Sequence, residues 1–129
     1  MIKTTLGKIY TAFLGINQIR NQVRGMDALH LFHLKNMLKE SVDFMAEEDV
    51  HMVTEAGGVI TETGIVIIAD KEKQKEYVKA RKELDEQETE IQTDPVIIRI
   101  SRCPDVTVEQ IERLDGFVIF KEDDDNGNQ

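Results

Sequence analysis

The first third of the chain carries two stretches in which apolar residues recur at helical spacing. In the first stretch the apolar positions lie three or four residues apart, as one face of an α-helix requires: Leu6, Ile9, Tyr10, Phe13 and Leu14. Thr4 or Thr5 is the predicted N-cap, because a threonine hydroxyl accepts a hydrogen bond from a free N–H of the first turn. Gly15 and Asn17 are predicted to end the helix, since both tolerate the left-handed conformation common after a helix. We therefore predict a helix over residues 5–15, followed by a polar connector.

The second stretch predicts a much longer helix. Its apolar positions are again three or four residues apart: Leu31, Leu34, Leu38, Val42 and Met45. No proline or glycine interrupts residues 27–56, and Asp27 is the predicted N-cap. At 1.5 Å per residue this helix reaches on the order of 40 Å. Because that is long for a domain of this size, part of the helix is expected to project or to pair with another helix.

A β-hairpin and a charged helix are predicted next. Gly57–Gly58 ends the long helix, and residues 59–69 form two short runs rich in valine and isoleucine around a turn at Gly64. Two β-branched runs separated by a glycine-containing turn are typical of a hairpin. Asp70 is the predicted N-cap of a highly charged helix over residues 71–88. Its narrow apolar stripe fits packing against a single neighbour.

A capping box marks a short helix near the end of the chain. Thr107 is followed three residues later by Gln110, the spacing at which each side chain bonds the other's backbone N–H. The pattern predicts a helix over residues 108–114, with Ile111 and Leu114 facing inward.

The order of elements predicts an α+β fold: N-terminal helix, long helix, β-hairpin, returning charged helix, then strand and short helix. The strand is predicted over residues 96–100, and residues 117–120 are either a final strand or a hydrophobic closing segment. The order does not repeat a βαβ unit, so a doubly wound nucleotide-binding sheet is not expected. We predict a single α+β domain over residues 1–120 and a disordered acidic tail over residues 121–129, which contain no apolar residue.

Composition excludes several classes of protein. The chain has 129 residues and a single cysteine, which rules out an internal disulfide and a cysteine-based zinc site. No apolar run approaches the ~20 residues of a membrane span, and no signal peptide is recognisable at the first residues. We therefore expect a small, soluble, intracellular protein with no membrane partner.

Charge is divided unevenly along the chain. Residues 1–39 hold six basic side chains and one acidic side chain, a formal charge of +5, whereas residues 40–129 hold ten basic and 24 acidic side chains, a charge of −14. The asymmetry indicates a site for an anionic partner, an acidic face for a basic partner, or simply the solvated faces of long helices. Glu47, Glu48 and Asp49 are candidates for such an acidic face. With a net charge of −9, direct nucleic-acid binding is not expected.

Few residues are candidates for catalytic or metal-binding chemistry. His30 and His33 have a spacing that can place two metal ligands on one helix face, but a third ligand is missing nearby. Cys103 becomes a nucleophile if the neighbouring Arg102 lowers the pKa of its thiol, although no base is evident. No phosphate loop, G-x-S-x-G elbow or H-E-x-x-H helix occurs. We therefore predict no enzymatic activity and no cofactor.

The order of motifs from Gly57 to Phe120 is similar to that of a known family. A glycine-containing hairpin leads to a charged helix that reads KEYVKARKELDEQETEI at Lys75–Ile91, then to a proline-containing strand at Pro95–Ile100 and a closing helix at Val108–Leu114. The N-terminal helix is similar as well. This arrangement resembles an uncharacterised family of small proteins encoded by tailed bacteriophages and prophages of Gram-positive bacteria. No catalytic residue is attached to that family.

The resemblance implies a phage accessory protein made in the cytoplasm of the bacterial host, with association with the virion left open. Two non-enzymatic functions fit it. The first is a role in virion assembly or structure through protein–protein contacts, and the alternative is an acidic inhibitor of a host anti-phage defence system, either a nuclease or a signalling protein. The expected partners are accordingly the protein itself, other phage proteins or a host defence protein.

We also predict a homo-oligomer, because the long helix exceeds what its neighbours can cover and an exposed apolar stripe tends to find a partner. The candidate interaction residues are Leu31, Leu34, Leu38 and Val42. The alternative, in which these side chains form the intramolecular core, remains open from the sequence.

Overall fold

Within residues 1–123, which the computed structural model describes, the chain forms four α-helices and six short strands. The helices are α1 (Leu6–Ile19), α2 (Gly25–Glu55), α3 (Lys71–Glu86) and α4 (Val108–Arg113). The strands are β1 (Ile2–Thr5), β2 (Val59–Ile60), β3 (Val66–Ile67), β4 (Glu88–Ile91), β5 (Val96–Arg99) and β6 (Val118–Lys121). The predicted α+β class is confirmed.

Helix α1 begins where the sequence predicts and ends later. The hydroxyl of Thr5 accepts a hydrogen bond from the N–H of Lys8 at 3.3 Å, which confirms Thr5 as the N-cap. The predicted end at Gly15 is wrong, because buried Ile16 and Ile19 continue the inward face to the last residue of the helix. Gly15 instead permits close packing, since a Cβ there would lie 3.0 Å from Leu114 Cγ.

Strand β1 was not predicted, and it ties the first residues to the end of α3. It pairs antiparallel with β4, with Ile2 opposite Ile91 and Thr5 opposite Glu88. The N–H of Leu6 also donates to the carbonyl of Gln87 at 3.0 Å. Because β4 begins at Glu88, α3 ends at Glu86 rather than at residue 88.

Helix α2 is the longest element of the described chain, at 31 residues. It begins at Gly25, so the prediction that Asp27 is its N-cap is wrong. Asp27 lies inside the first turn and is buried, where the positive end of the helix dipole favours a carboxylate. Arg102 lies nearby, with its Nη1 3.9 Å from Asp27 Oδ1.

The predicted hairpin is present between α2 and α3. Strands β2 and β3 pair antiparallel, with Val59 opposite Ile67 and Ile60 opposite Val66. Helix α3 follows and starts as predicted, because Asp70 Oδ1 accepts hydrogen bonds from the backbone N–H groups of the first turn at 2.9 and 3.1 Å.

The C-terminal part is a small β5–α4–β6 unit. Strands β5 and β6 pair in parallel, with Val96 opposite Val118. The capping box of Thr107 and Gln110 is confirmed at the start of α4. Leu114, which follows α4, is fully buried as predicted and lies beside Gly15 of α1, but Ile111 is exposed, so the prediction that it faces inward is wrong.

The core runs between α1, α2 and the β5–β6 sheet. It contains the residues predicted as an interaction surface: Leu31, Leu34 and Leu38 are 3%, 2% and 0% exposed, and partly buried Val42 packs against them. The prediction that this stripe is a surface for a partner is therefore wrong. These side chains belong to the core cluster within the single chain, and α2 packs against α1.

The predicted acidic tail begins inside the folded part. Lys121 is the last residue of β6, and Asp123 Oδ1 accepts a hydrogen bond from Ser101 Oγ at 2.8 Å. The remaining tail residues, 124–129, lie outside the described residues.

Candidate functional site

The hairpin between α2 and α3 exposes apolar side chains on both of its faces. We use the name hairpin tip for Val59, Ile60, Ile65 and Ile67, which are 60%, 39%, 60% and 51% exposed. Val59 and Ile67 stand directly opposite each other, and Ile60 stands opposite Val66. A hairpin that buries one face normally alternates apolar and polar residues. Here neither face is polar, so the tip offers apolar surface in two directions.

A small apolar cluster holds the hairpin tip against the end of α2. Val53 and Ile68 are 3% and 8% exposed, and both lie outside the main core cluster. Gly58 sits between them: a Cβ at this position would be 2.6 Å from the carbonyl oxygen of Ile67 and 2.7 Å from Ile68 Cγ1. The orientation of the tip therefore depends on the absence of a side chain at Gly58.

Gly58→Ala should destabilise the protein by about 1–3 kcal/mol, the usual penalty of overpacking a filled site. The clash is with backbone, which cannot rotate away as a side-chain end can. Urea unfolding measures the loss, and amide hydrogen exchange should accelerate chiefly over residues 59–68. Unchanged stability and unchanged exchange would contradict the packing described for Gly58.

A second exposed stripe runs along α2 about a third of a turn away from its core-facing side. We call it the outer stripe: His30, Met37, Phe44 and His51, all exposed and each seven residues from the next. At its N-terminal end, His30, His33 and Met37 line a shallow groove of about 390 Å³ together with residues 93–97. Ile97 in this groove is 50% exposed. The groove thus extends the apolar surface from α2 onto β5.

The candidate acidic face does not form as a unit. Glu47 is exposed and Glu48 half-buried, but Asp49 turns toward α3. Asp49 Oδ1 accepts a hydrogen bond from the hydroxyl of Tyr77 at 2.6 Å and lies 3.2 Å from Arg81 Nε. The prediction that Asp49 belongs to a free acidic face is therefore wrong, since its carboxylate joins α2 to α3.

The contact with Asp49 alters the acidity of Tyr77. The pKa of Tyr77 is raised to about 12, mainly by burial of the phenol and then by its hydrogen bond to the Asp49 carboxylate and the negative charge of that group. The Arg81 guanidinium acts in the opposite direction. The neutral phenol is the form that can donate to the carboxylate. The interaction between α2 and α3 therefore depends on a protonated Tyr77.

Protein stability should consequently fall as the pH rises from 10 toward 12. The ordinary pKa of the phenol is 10.0, so the unfolded chain releases this proton at lower pH than the folded protein, and ionisation favours unfolding. Urea unfolding of the wild type and of Tyr77→Phe at about pH 8 and about pH 11 isolates this contribution. The wild type should lose more stability than the variant, and parallel losses would contradict the assignment.

The candidate chemical residues are placed in unfavourable positions for catalysis. His30 and His33 are exposed beside the groove, and no group of three or more His, Cys, Asp or Glu residues suited to a metal ion occurs in residues 1–123. Cys103 is completely buried. Burial raises the pKa of its thiol, and the carboxylates of Asp105 and Asp27 add to the effect. The sequence-based idea that Arg102 activates this thiol is therefore wrong.

The sequence carries a signal for each of these two exposed surfaces. For the hairpin tip the signal is the lack of alternation in its β-branched runs, and for the outer stripe it is the seven-residue spacing.

No helix within residues 1–123 is long and apolar enough to cross a membrane. Comparisons with family models, with curated proteins and with solved structures find no match to this chain.

Proposed function

We propose that this protein is a non-enzymatic binding protein that docks another protein through the hairpin tip. The observation that carries the proposal is the exposure of four β-branched side chains on one two-stranded hairpin. Single exposed apolar residues are common on protein surfaces, whereas a contiguous group of them supports an interaction site.

The geometry of the hairpin favours addition of a partner. Each strand contributes only two residues to the ladder, so the pairing between β2 and β3 is minimal. Two-stranded hairpins are marginal by themselves, and exposed strand edges are templates for further pairing. A partner that covers the tip removes apolar surface from water at about 25 cal/mol per Å². Binding of a partner therefore also stabilises the hairpin itself.

The biological setting we propose is that of a phage or prophage accessory protein in the bacterial host. The support for this setting is the resemblance of the segment from Gly57 to Phe120 to the phage family described above. Virion assembly or structure is the favoured role, because the exposed surface at the tip is apolar and the candidate acidic face is interrupted at Asp49. Inhibition of a host defence protein is the other outcome that the experiment below distinguishes.

The test is affinity capture from infected cells with three tagged chains, beside mass spectrometry of purified virions. The chains are the wild type, the double variant Val59→Lys/Ile67→Glu, whose opposite charges face each other across the strands, and the control Val108→Lys. Val108 is a 72% exposed valine on α4, outside the hairpin. Because all three positions are more than half exposed, each variant should unfold at nearly the wild-type urea concentration.

A partner that docks at the tip should be recovered with the wild type and with Val108→Lys, and at least about tenfold less with the double variant, as expected when apolar contacts are replaced by charge. Equal recovery of every captured protein with the double variant would contradict the proposal. Phage structural proteins among the tip-dependent partners, and recovery in virions, would favour assembly. A host nuclease or signalling protein would favour inhibition.

A further inference from the structure

The hydrogen-bond ladder of the hairpin determines which backbone groups of β3 point outward. The N–H of Thr61 donates to the carbonyl of Ile65 at 2.9 Å, so these two residues form a hydrogen-bonded pair. Hydrogen-bonded and non-hydrogen-bonded pairs alternate along an antiparallel ladder. Ile60 and Val66 are the next pair along the ladder. Their N–H and C=O groups therefore point away from each other, toward the two edges of the hairpin.

The outward groups of β3 have no hydrogen-bond partner in the described chain. Strand β2 packs against α2 as well as against β3, whereas the main contact of β3 is β2. Beyond the β2–β3 ladder, neither backbone group of Val66 is hydrogen-bonded within residues 1–123. The same is true of Ile68, two residues later in the chain. The edge of β3 is therefore available to a further strand.

No side chain of β3 or of the residues around it blocks this edge by charge or by ring. Natural sheets protect an exposed edge with charged side chains or with proline, since an unprotected edge pairs with other chains. Residues 65–69 read IVIIA and contain neither. This segment is uncharged although 32% of the whole chain is charged, which favours pairing of the edge over its exposure to water.

The apolar face beside this edge favours an extended partner. Val59, Ile65 and Ile67 lie on one face, because side chains alternate along a strand, and they are 60%, 60% and 51% exposed. A partner that covers this face also excludes water from the adjoining edge, where an unpaired backbone N–H or C=O is unfavourable. A strand meets both requirements, since its backbone pairs with the edge and its alternate side chains extend the apolar face.

We infer that the partner of the hairpin tip binds as an extended strand that pairs with the edge of β3 at Val66. The occupant is a segment of another protein with apolar side chains at alternate positions, which lie beside Ile65 and Ile67. The inference rests on the proposed function and specifies the kind of segment that docks.

The test adds the chains Val66→Pro and Val66→Thr to the capture experiment. Proline removes the outward N–H and leaves the pairs Thr61–Ile65 and Val59–Ile67 intact, because an edge strand tolerates proline where its N–H faces solvent. Threonine keeps the N–H and the branched shape, so Val66→Thr is the matched control. Proteins that depend on the tip should be recovered at least about tenfold less with Val66→Pro, and at the wild-type level with Val66→Thr.

Amide exchange at single residues completes the test. Exchange at Ile67, which pairs with Val59, checks that the hairpin is retained in the free Val66→Pro chain. In the wild type bound to the recovered and purified partner, exchange of the Val66 N–H should slow by at least about tenfold, because this group becomes hydrogen-bonded. Unchanged exchange at Val66 in that complex would overturn the inference without any substitution.

The pattern of capture separates this inference from the proposed function. Loss of a partner with Val59→Lys/Ile67→Glu but full recovery with Val66→Pro would overturn strand pairing and leave docking at the tip standing. Equal loss with Val66→Pro and Val66→Thr would also overturn it, because the side chain would then matter rather than the backbone. Equal recovery with every variant contradicts the proposed function, and the inference falls with it. A light-scattering mass that rises with concentration for the free wild type, but not for Val66→Pro, would assign the edge to a second copy of this chain instead.

Discussion

Replacing Phe117 by alanine is expected to lower the free energy of unfolding by about 3–5 kcal/mol, the range for a buried phenylalanine. Phe117 is 1% exposed and is the largest of the fully buried side chains in the described chain. Its backbone also joins the C-terminal unit, because its N–H donates to the carbonyl of Leu114 and its own carbonyl accepts from the N–H of Val96, both at 2.9 Å. The cavity would therefore open in the core cluster to which Phe117 belongs.

The matched control for this prediction is Ile119→Ala in the strand that follows Phe117. Ile119 is 42% exposed, so its truncation should change stability by less than about 1 kcal/mol. Urea unfolding of both variants gives the comparison. Similar losses would mean that the side of β6 facing the core has been assigned incorrectly.

Replacing Leu38 by alanine is expected to lower the free energy of unfolding by about 2–5 kcal/mol, the second large effect. Leu38 is fully buried near the middle of α2, in the core cluster of a helix that packs against α1. The adjacent residue, Met37, points to the outer stripe, and Met37→Ala should change stability by less than about 1 kcal/mol in the monomer. The pair of variants thus tests which side of α2 is the core of the monomer.

Thermal and urea unfolding of both variants at one protein concentration make this measurement. A larger loss for Met37→Ala than for Leu38→Ala would reverse the assignment.

Local chemistry explains which elements the sequence predicts well. The N-caps at Thr5, Asp70 and Thr107 depend on hydrogen bonds within three residues, and each is confirmed. Asp27 has the same side chain as Asp70 but does not cap, because the helix starts two residues earlier and its carboxylate is buried in the first turn near Arg102. An N-cap can be predicted from the sequence only where tertiary contacts do not move the start of the helix.

Long-range contacts explain what the sequence does not predict. Strand β1 contains a single strongly apolar residue, Ile2. It forms because it pairs with β4, which lies more than eighty residues later in the chain. Gly15 has the sequence signature of a helix end, but its role is to admit the side chain of Leu114. Both the β1–β4 pairing and the contact between Gly15 and Leu114 join distant parts of the chain. The spacing of apolar residues along the sequence therefore carries no information about them.

The candidate sites were only partly predictable for the same reason. The periodicity of α2 located Leu31, Leu34 and Leu38 on one face, but periodicity does not say whether that face meets this chain or another. The structure buries it and leaves Phe44 and the hairpin tip exposed. Exposure is a tertiary property, and it decides which apolar residues are available to a partner.

Amide hydrogen exchange of the captured complex tests the central claim, docking at the hairpin tip, most directly. Exchange over residues 58–68 should slow in the complex relative to the free protein, since a partner would cover the hairpin and supply hydrogen bonds to its edges. Exchange over residues 108–121 should stay the same. Unchanged exchange at the hairpin, with protection elsewhere on the chain, would contradict the account.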